Sequence, residues 1–165
     1  MSHGEEQQLV YLRQERTLRR IGTNADYTPG GNFNIFTITG GPIKITGMFG
    51  HVTVACTGAA LVPLITFTPT GGGAASALCT VAVGAAHAIN VVLAWDGALA
   101  SVLAPTVGVG HGQAGPASAQ DFVAAGIIAI PGIISITNAT ADATGVIDWY
   151  LSYYPLTEAA SVTIN

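Results

Sequence analysis

From Asn32 onward, apolar and polar residues alternate in short bursts instead of recurring every third or fourth position. In "FNIFTIT", Phe33, Ile35 and Thr37 fall on one face of an extended chain and Asn34, Phe36 and Ile38 on the other. "PIKITGMFGHVTVAC", "ALVPLITFTP", "HAINVVLAW", "DFVAAGIIAI", "GIISITNA", "GVIDWYLSYY" and "SVTI" are similarly rich in Val, Ile, Thr and aromatic residues. They are separated by "TGG", "TPTGGGAAS", "WDGA", "GVGHGQAGPAS" and "NATADATG", which carry turn and loop chemistry. This spacing predicts an all-β body, a β-sandwich or jelly roll, over residues 32–165. "AASALCTVAVGAAHA" is the weakest of the predicted strand regions, because Ala disfavours strands.

Two stretches echo each other. "FTITGGPIKITG" and "IAIPGIISITNA" both set a Gly/Pro corner between two alternating apolar runs, an arrangement suited to two packed sheets. In "DWYLSYYPL", Trp149, Leu151 and Tyr153 share one face and Asp148, Tyr150, Ser152 and Tyr154 the other. The first set, led by Ile147, is expected in the core. Tyr150 and Tyr154 are amphipathic and suit a subunit boundary.

Residues 1–22 follow a different pattern. Ser2 and Glu5 fit a capping box, and "EEQQLVYLRQERTLRRIG" is rich in helix formers with no internal Gly or Pro. Glu15 and Arg19 are spaced for a pair across one helical turn, and Gly22 stands where a helix would stop. Arg16, Arg19 and Arg20 crowd the expected last turn, where cations suit the helix dipole. The prediction is an N-terminal helical arm over 1–22, a linker over 23–31 and the β body beyond. A helix this short must dock on something. Leu9, Leu12, Arg13, Arg16, Leu18, Arg19 and Arg20, with Tyr150 and Tyr154, are the expected interface residues.

Charge sharpens this reading. Of 165 residues 50% are hydrophobic and only 8% charged, against about 25% in an ordinary soluble domain. Seven of the fourteen charged residues lie within the first 20, and the rest of the chain holds one cation, Lys44, and six acids. A freely dispersed surface carries more charge than this, so much of the surface is expected to meet other subunits. The net charge of −4 argues against direct nucleic-acid binding, and the arginine cluster is better matched to an acidic protein surface. The apolar run "ALCTVAVGAAHAINVVLAW" is broken by His87 and Asn90 and ends at Asp96-Gly97, so no membrane span is expected, and "MSHGEEQQLV" lacks the pattern of a secretion signal.

Little in the sequence points to chemistry. His3, His51, His87 and His111 are not spaced as metal ligands, and a catalytic site would need one of them to meet an acid in space. Asp142 and Asp148 are the only body acids close in sequence; Asp142 reads as a turn-former. "TGGG" lacks the Lys-Ser/Thr of a phosphate loop. Cys56 and Cys79, both in predicted strands, read as buried thiols or as a disulfide between neighbouring strands. No catalytic, cofactor-binding or metal-binding residue is assigned, and no enzymatic activity is expected.

Gly40, Gly41, Ile43 and Ile45 at the front of the body, and Gly145, Ile147, Trp149, Leu151, Tyr153, Pro155 and Leu156 at its end, form a pattern that resembles small structural proteins of tailed bacteriophages. Such proteins are called head decoration, cement or minor structural proteins of the virion. The resemblance covers roughly residues 32–160 and leaves out the arginine-rich arm. It implies a sandwich or jelly-roll unit, trimeric, attached to a capsid or tail surface, with the major capsid protein or other virion subunits as partners and no catalytic residues. Deleting residues 1–22 is then expected to leave a folded body that no longer attaches. The alternative expectation is a trimeric host-glycan-binding head, or a tail spike or fibre module, that binds through loop 108–119.

Overall fold

A computed structural model of the protein describes residues 14–23, 26, 32–56, 63–78, 87–95, 104–105, 126–138 and 144–165. They form eleven strands: β1 (Arg16–Arg20), β2 (Asn32–Thr39), β3 (Ile43–Val54), β4 (Pro63–Pro69), β5 (Ser76–Ala77), β6 (Val92–Trp95), β7 (Ala104–Pro105), β8 (Ile127–Ala129), β9 (Gly132–Asn138), β10 (Val146–Pro155) and β11 (Ser161–Ile164). All pairings are antiparallel and build two sheets. One runs β1-β10-β3-β6-β7, with β8 also on β3; the other runs β11-β2-β9-β4-β5. The long β3 holds β10 along one side, and on the other β8 at Ile43–Ile45 and β6 at Met48–His51.

Each sheet sends every second side chain into a shared apolar core. Ile43, Ile45, Met48, Val52, Leu93, Trp95, Ile147, Trp149 and Leu151 come from the first sheet, and Ile35, Phe36, Ile38, Ile65, Ile134 and Ile136 from the second. The body is therefore all-β and sandwich-like. Among the described residues no helix is long and apolar enough to cross a membrane.

The two echoed corners are two of the short turns by which the chain passes between sheets. Thr39-Gly40-Gly41-Pro42 carries it from β2 in the second sheet to β3 in the first, and Ile130-Pro131 carries it from β8 to β9 in the opposite sense. A third passage, residues 156–160, links β10 to β11. It packs on the first: Leu156 N–H donates to the Pro42 carbonyl at 3.0 Å. Gly40 has φ +73, and a Cβ there would come within 1.9 Å of the Ala159 carbonyl oxygen, so this corner demands glycine.

Two sequence expectations are corrected. Residues 16–20 are a strand, not the last turns of a helix. Arg16 to Arg20 pair one to one with Tyr153 to Trp149 along the otherwise open side of β10. Ladder bonds to that edge, and burial of Leu18 against the core, outweigh an intrinsic helix preference that is worth only tenths of a kcal/mol per residue. Residues 16–20 thus belong to the first sheet, residues 14–15 and 21–22 beside them are irregular, and residues 1–13 of the expected helix lie outside the described residues. In β2, the register shifts between Asn34 and Phe36, and a bulge at Ile35 turns both Ile35 and Phe36 into the core. The simple alternation expected for "FNIFTIT" is broken there, leaving Asn32, Asn34, Thr37 and Thr39 on the far face.

Candidate functional site

The expected interface residues separate into three places. Leu9, Leu12 and Arg13 lie outside the described residues, as do His3, His111, loop 108–119, Cys79 and Asp142. Arg16, Leu18 and Arg20 alternate inward from β1, opposite Tyr153, Leu151 and Trp149. Arg19, Tyr150 and Tyr154 face away from the core.

Arg20 is the most heavily engaged of them. Its side chain is only 10% exposed and meets Asp26, itself 9% exposed. Nη1 donates to Asp26 Oδ2 at 2.6 Å, Nη2 to Oδ1 at 2.9 Å, and Nε to the Asn165 carbonyl at 3.1 Å. The guanidinium also lies 5.3 Å from the centre of the Phe33 ring. Thr23 N–H donates to Asp26 at 2.8 Å. Burial by itself raises the Asp26 pKa; the Arg20 hydrogen bonds, the Thr23 backbone bond and the Arg20 charge outweigh it and hold the carboxyl below its ordinary range. One arginine thus fastens β1, the loop after it, β2 and the end of β11.

On the outer face of the first sheet, Asp148 sits almost fully buried beneath Arg19. Arg19 Nη2 and Nε donate to Oδ2 at 2.6 and 3.2 Å, and Gly22 N–H donates to Oδ1 at 2.9 Å. The hydrogen bond and charge of Asp148 raise the already high pKa of Arg19. Arg19 also reaches over Tyr150, 5.8 Å from the ring centre. The other side of Tyr150 is stacked on Phe49, with centroids 4.5 Å apart and planes 8° from parallel. The result is a cation–aromatic–aromatic ladder across β1, β10 and β3. Thr17 and Ser152 continue this face with a hydroxyl pair at 2.9 Å.

The register brings His51 directly opposite Asp148, a juxtaposition that sequence spacing did not suggest. The Asp148 oxygens already accept from Arg19 and Gly22, so the carboxylate serves as a structural anchor. His87 is buried and bridges to Cys56 through reciprocal backbone bonds of 2.9 and 3.1 Å. Among the described residues no three His, Cys, Asp or Glu side chains converge as a metal site would require.

The far face of the second sheet is a field of hydroxyls and amides. Thr39 meets Ser161 at 2.9 Å, the Asn165 amide donates to Thr37 at 2.9 Å, Ser135 donates to Asn34 at 3.0 Å, and Thr137 donates to Asn32. Leu64, Thr66, Thr68, Ile133 and Thr163 share its register, with Ser135 and Thr66 buried and Leu64 packed against the core, and among the described residues of this face none is charged. In the sequence this appeared only as an abundance of Thr, Ser and Asn. Comparison of the chain with protein-family profiles, with curated proteins and with solved structures produced no match in any of the three.

Proposed function

We propose that the chain is a structural protein of a tailed-phage virion, a non-enzymatic accessory unit of the decoration or cement type that associates with copies of itself and attaches to the shell. The observation that carries this reading is the uncharged far face of the second sheet. A chain that must stay dispersed sets charges on such a face; a face of short side chains already bonded to one another can be covered by protein with little desolvation and little loss of side-chain freedom. The likeness of the corner at Gly40–Ile45 and of the closing strand to phage structural proteins points the same way, as does the low overall charge. A jelly-roll connection of the strands and a trimeric state belong to the same reading.

Attachment is assigned to the N-terminal segment ahead of β1. The deletion that tests it is 1–13, which leaves β1 and the Arg20–Asp26 pair in place, whereas deletion of 1–22 removes a strand of the sandwich and confounds attachment with folding. The first experiment is light scattering of the purified protein against its 16.7 kDa monomer. A mass near three monomers, about 50 kDa, supports the reading; a monomer at all concentrations overturns its self-association. Rebinding of the 1–13 deletion to stripped particles as well as the full chain overturns the assignment of the arm.

A further inference from the structure

At one end of the first sheet, its outer face finishes in a plate of apolar side chains around a single amine. Tyr154 on β10, Lys44 on β3 and Ile128 on β8 are direct neighbours in register across three adjacent strands. They point away from the core, because the row beside them, Pro155, Ile43 and Ala129, is buried. Beyond that row, Leu156 is tied to Pro42, and Ile130 follows Ala129 where the chain leaves β8. Ile128, Ile130 and Leu156 are 66%, 52% and 41% exposed. Isolated exposed aliphatics are ordinary, but a contiguous group is the mark of a contact surface.

Lys44 is the only cation in the chain after residue 20. A Cβ on Gly126, which has φ +26, would come within 2.4 Å of Lys44 Cε, so the bare glycine lets the lysine stem lie along the backbone at the start of β8. The amine is thereby kept beside the plate, with its methylenes adding to the apolar area.

We propose that this plate is a contact surface for a second copy of the chain, with Lys44 receiving a carboxylate of that copy. Charge selects the occupant. Each copy carries nine acids and five cations, and Asp148 and Asp26 are already paired with Arg19 and Arg20, so an approaching copy brings seven further carboxylates against three cations. An amine enclosed by Ile128, Tyr154 and their neighbours needs such a partner, since an unpaired buried charge is strongly unfavourable. This deepens the self-association reading above and rests on it.

The test is the concentration dependence of mass, by light scattering and sedimentation, for the full chain and for Ile128→Asp, Ile130→Ser, Lys44→Glu and Lys44→Met. Folding of each is checked by tryptophan fluorescence and a thermal melt; the exposure of Ile128 and Ile130 leaves the core untouched. Ile128→Asp and Lys44→Glu are expected to weaken association at least about 30-fold, and Lys44→Glu at least tenfold more than Lys44→Met. A stable oligomer that survives both Ile128→Asp and Lys44→Glu overturns this surface while the assembly reading stands. A wild-type monomer overturns both. Equal weakening by Lys44→Glu and Lys44→Met overturns the role of the charge.

Discussion

Replacing Arg20 by methionine keeps much of the side-chain stem and removes three hydrogen bonds, two to Asp26 and one to the Asn165 carbonyl. The loss leaves a carboxylate that is nine-tenths buried with the Thr23 backbone N–H and side chain as its remaining hydrogen-bond partners. Removing one member of a buried pair costs about 3–5 kcal/mol, mostly as the penalty of the charge left behind. The Thr23 bond places Arg20→Met near the lower figure, about 3 kcal/mol. For a chain of this size each kcal/mol moves Tm by about 2–4 °C, so the melt should fall by about 6–12 °C. Urea unfolding followed by tryptophan emission measures this directly, since Trp95 and Trp149 are both fully buried. Arg20→Met/Asp26→Leu removes both charges and should recover to within about 1 kcal/mol of the wild type. A loss below about 1 kcal/mol for Arg20→Met, or a double variant as unstable as the sum of the single changes, would refute the reasoning.

The same pair predicts an acid limb of stability. The folded-state pKa of Asp26 lies below its ordinary value of 3.8, so its contribution is complete well above that value, from about pH 5 upward, and is lost as pH falls through the folded pKa. Asp26→Asn should be less stable than the wild type at pH 7, and the gap should narrow in the acid range; a gap that holds constant to pH 2 contradicts the assignment. Gly50→Ala would place a Cβ 2.8 Å from Ile147 Cγ2 and about 3 Å from the Trp149 ring, and this overpacking should cost about 1–3 kcal/mol in the same urea assay. A double-mutant cycle of Phe49→Ala and Tyr150→Ala should give a coupling of about 0.5–1.5 kcal/mol, the worth of a stacked pair beyond its buried area. A coupling of zero would mean that the two rings share only proximity.

The strands were legible where alternation was strong. "GVIDWYLSYY" placed Trp149, Leu151 and Tyr153 in the core and Tyr150 and Tyr154 outside, as the structure has them. The Gly/Pro corners announced two sheets because a chain that leaves one layer for another needs residues free of ladder bonds and of Cβ clashes. The strand at Arg16–Arg20 was hidden because its cause lies 130 residues away, in the open side of β10; local propensity carries no trace of a partner so distant. The bulge at Ile35 was hidden for the same reason, since one extra residue in β2 is defined only against β9. Asp26 looked like one more linker acid until Arg20 was brought to it. Lys44 was visible as a solitary cation, but its neighbours come from β8 and β10, and only the register makes them a surface.

In chain order the described strands change sheet seven times, and the three short passages, at residues 40–42, 130–131 and 156–160, bear on how the molecule opens. Three stretches of continuous chain each lend a strand to both layers, so neither layer exists as a separate unit that could melt first. Prising the second sheet away pulls β3, β8 and β10 out of register through their own backbones. Amide exchange should therefore show one shared opening energy for the central strands of both sheets instead of two. Folding should be correspondingly slow, because the central pairings, β10 on β3 and β9 on β2, close loops of about 100 residues.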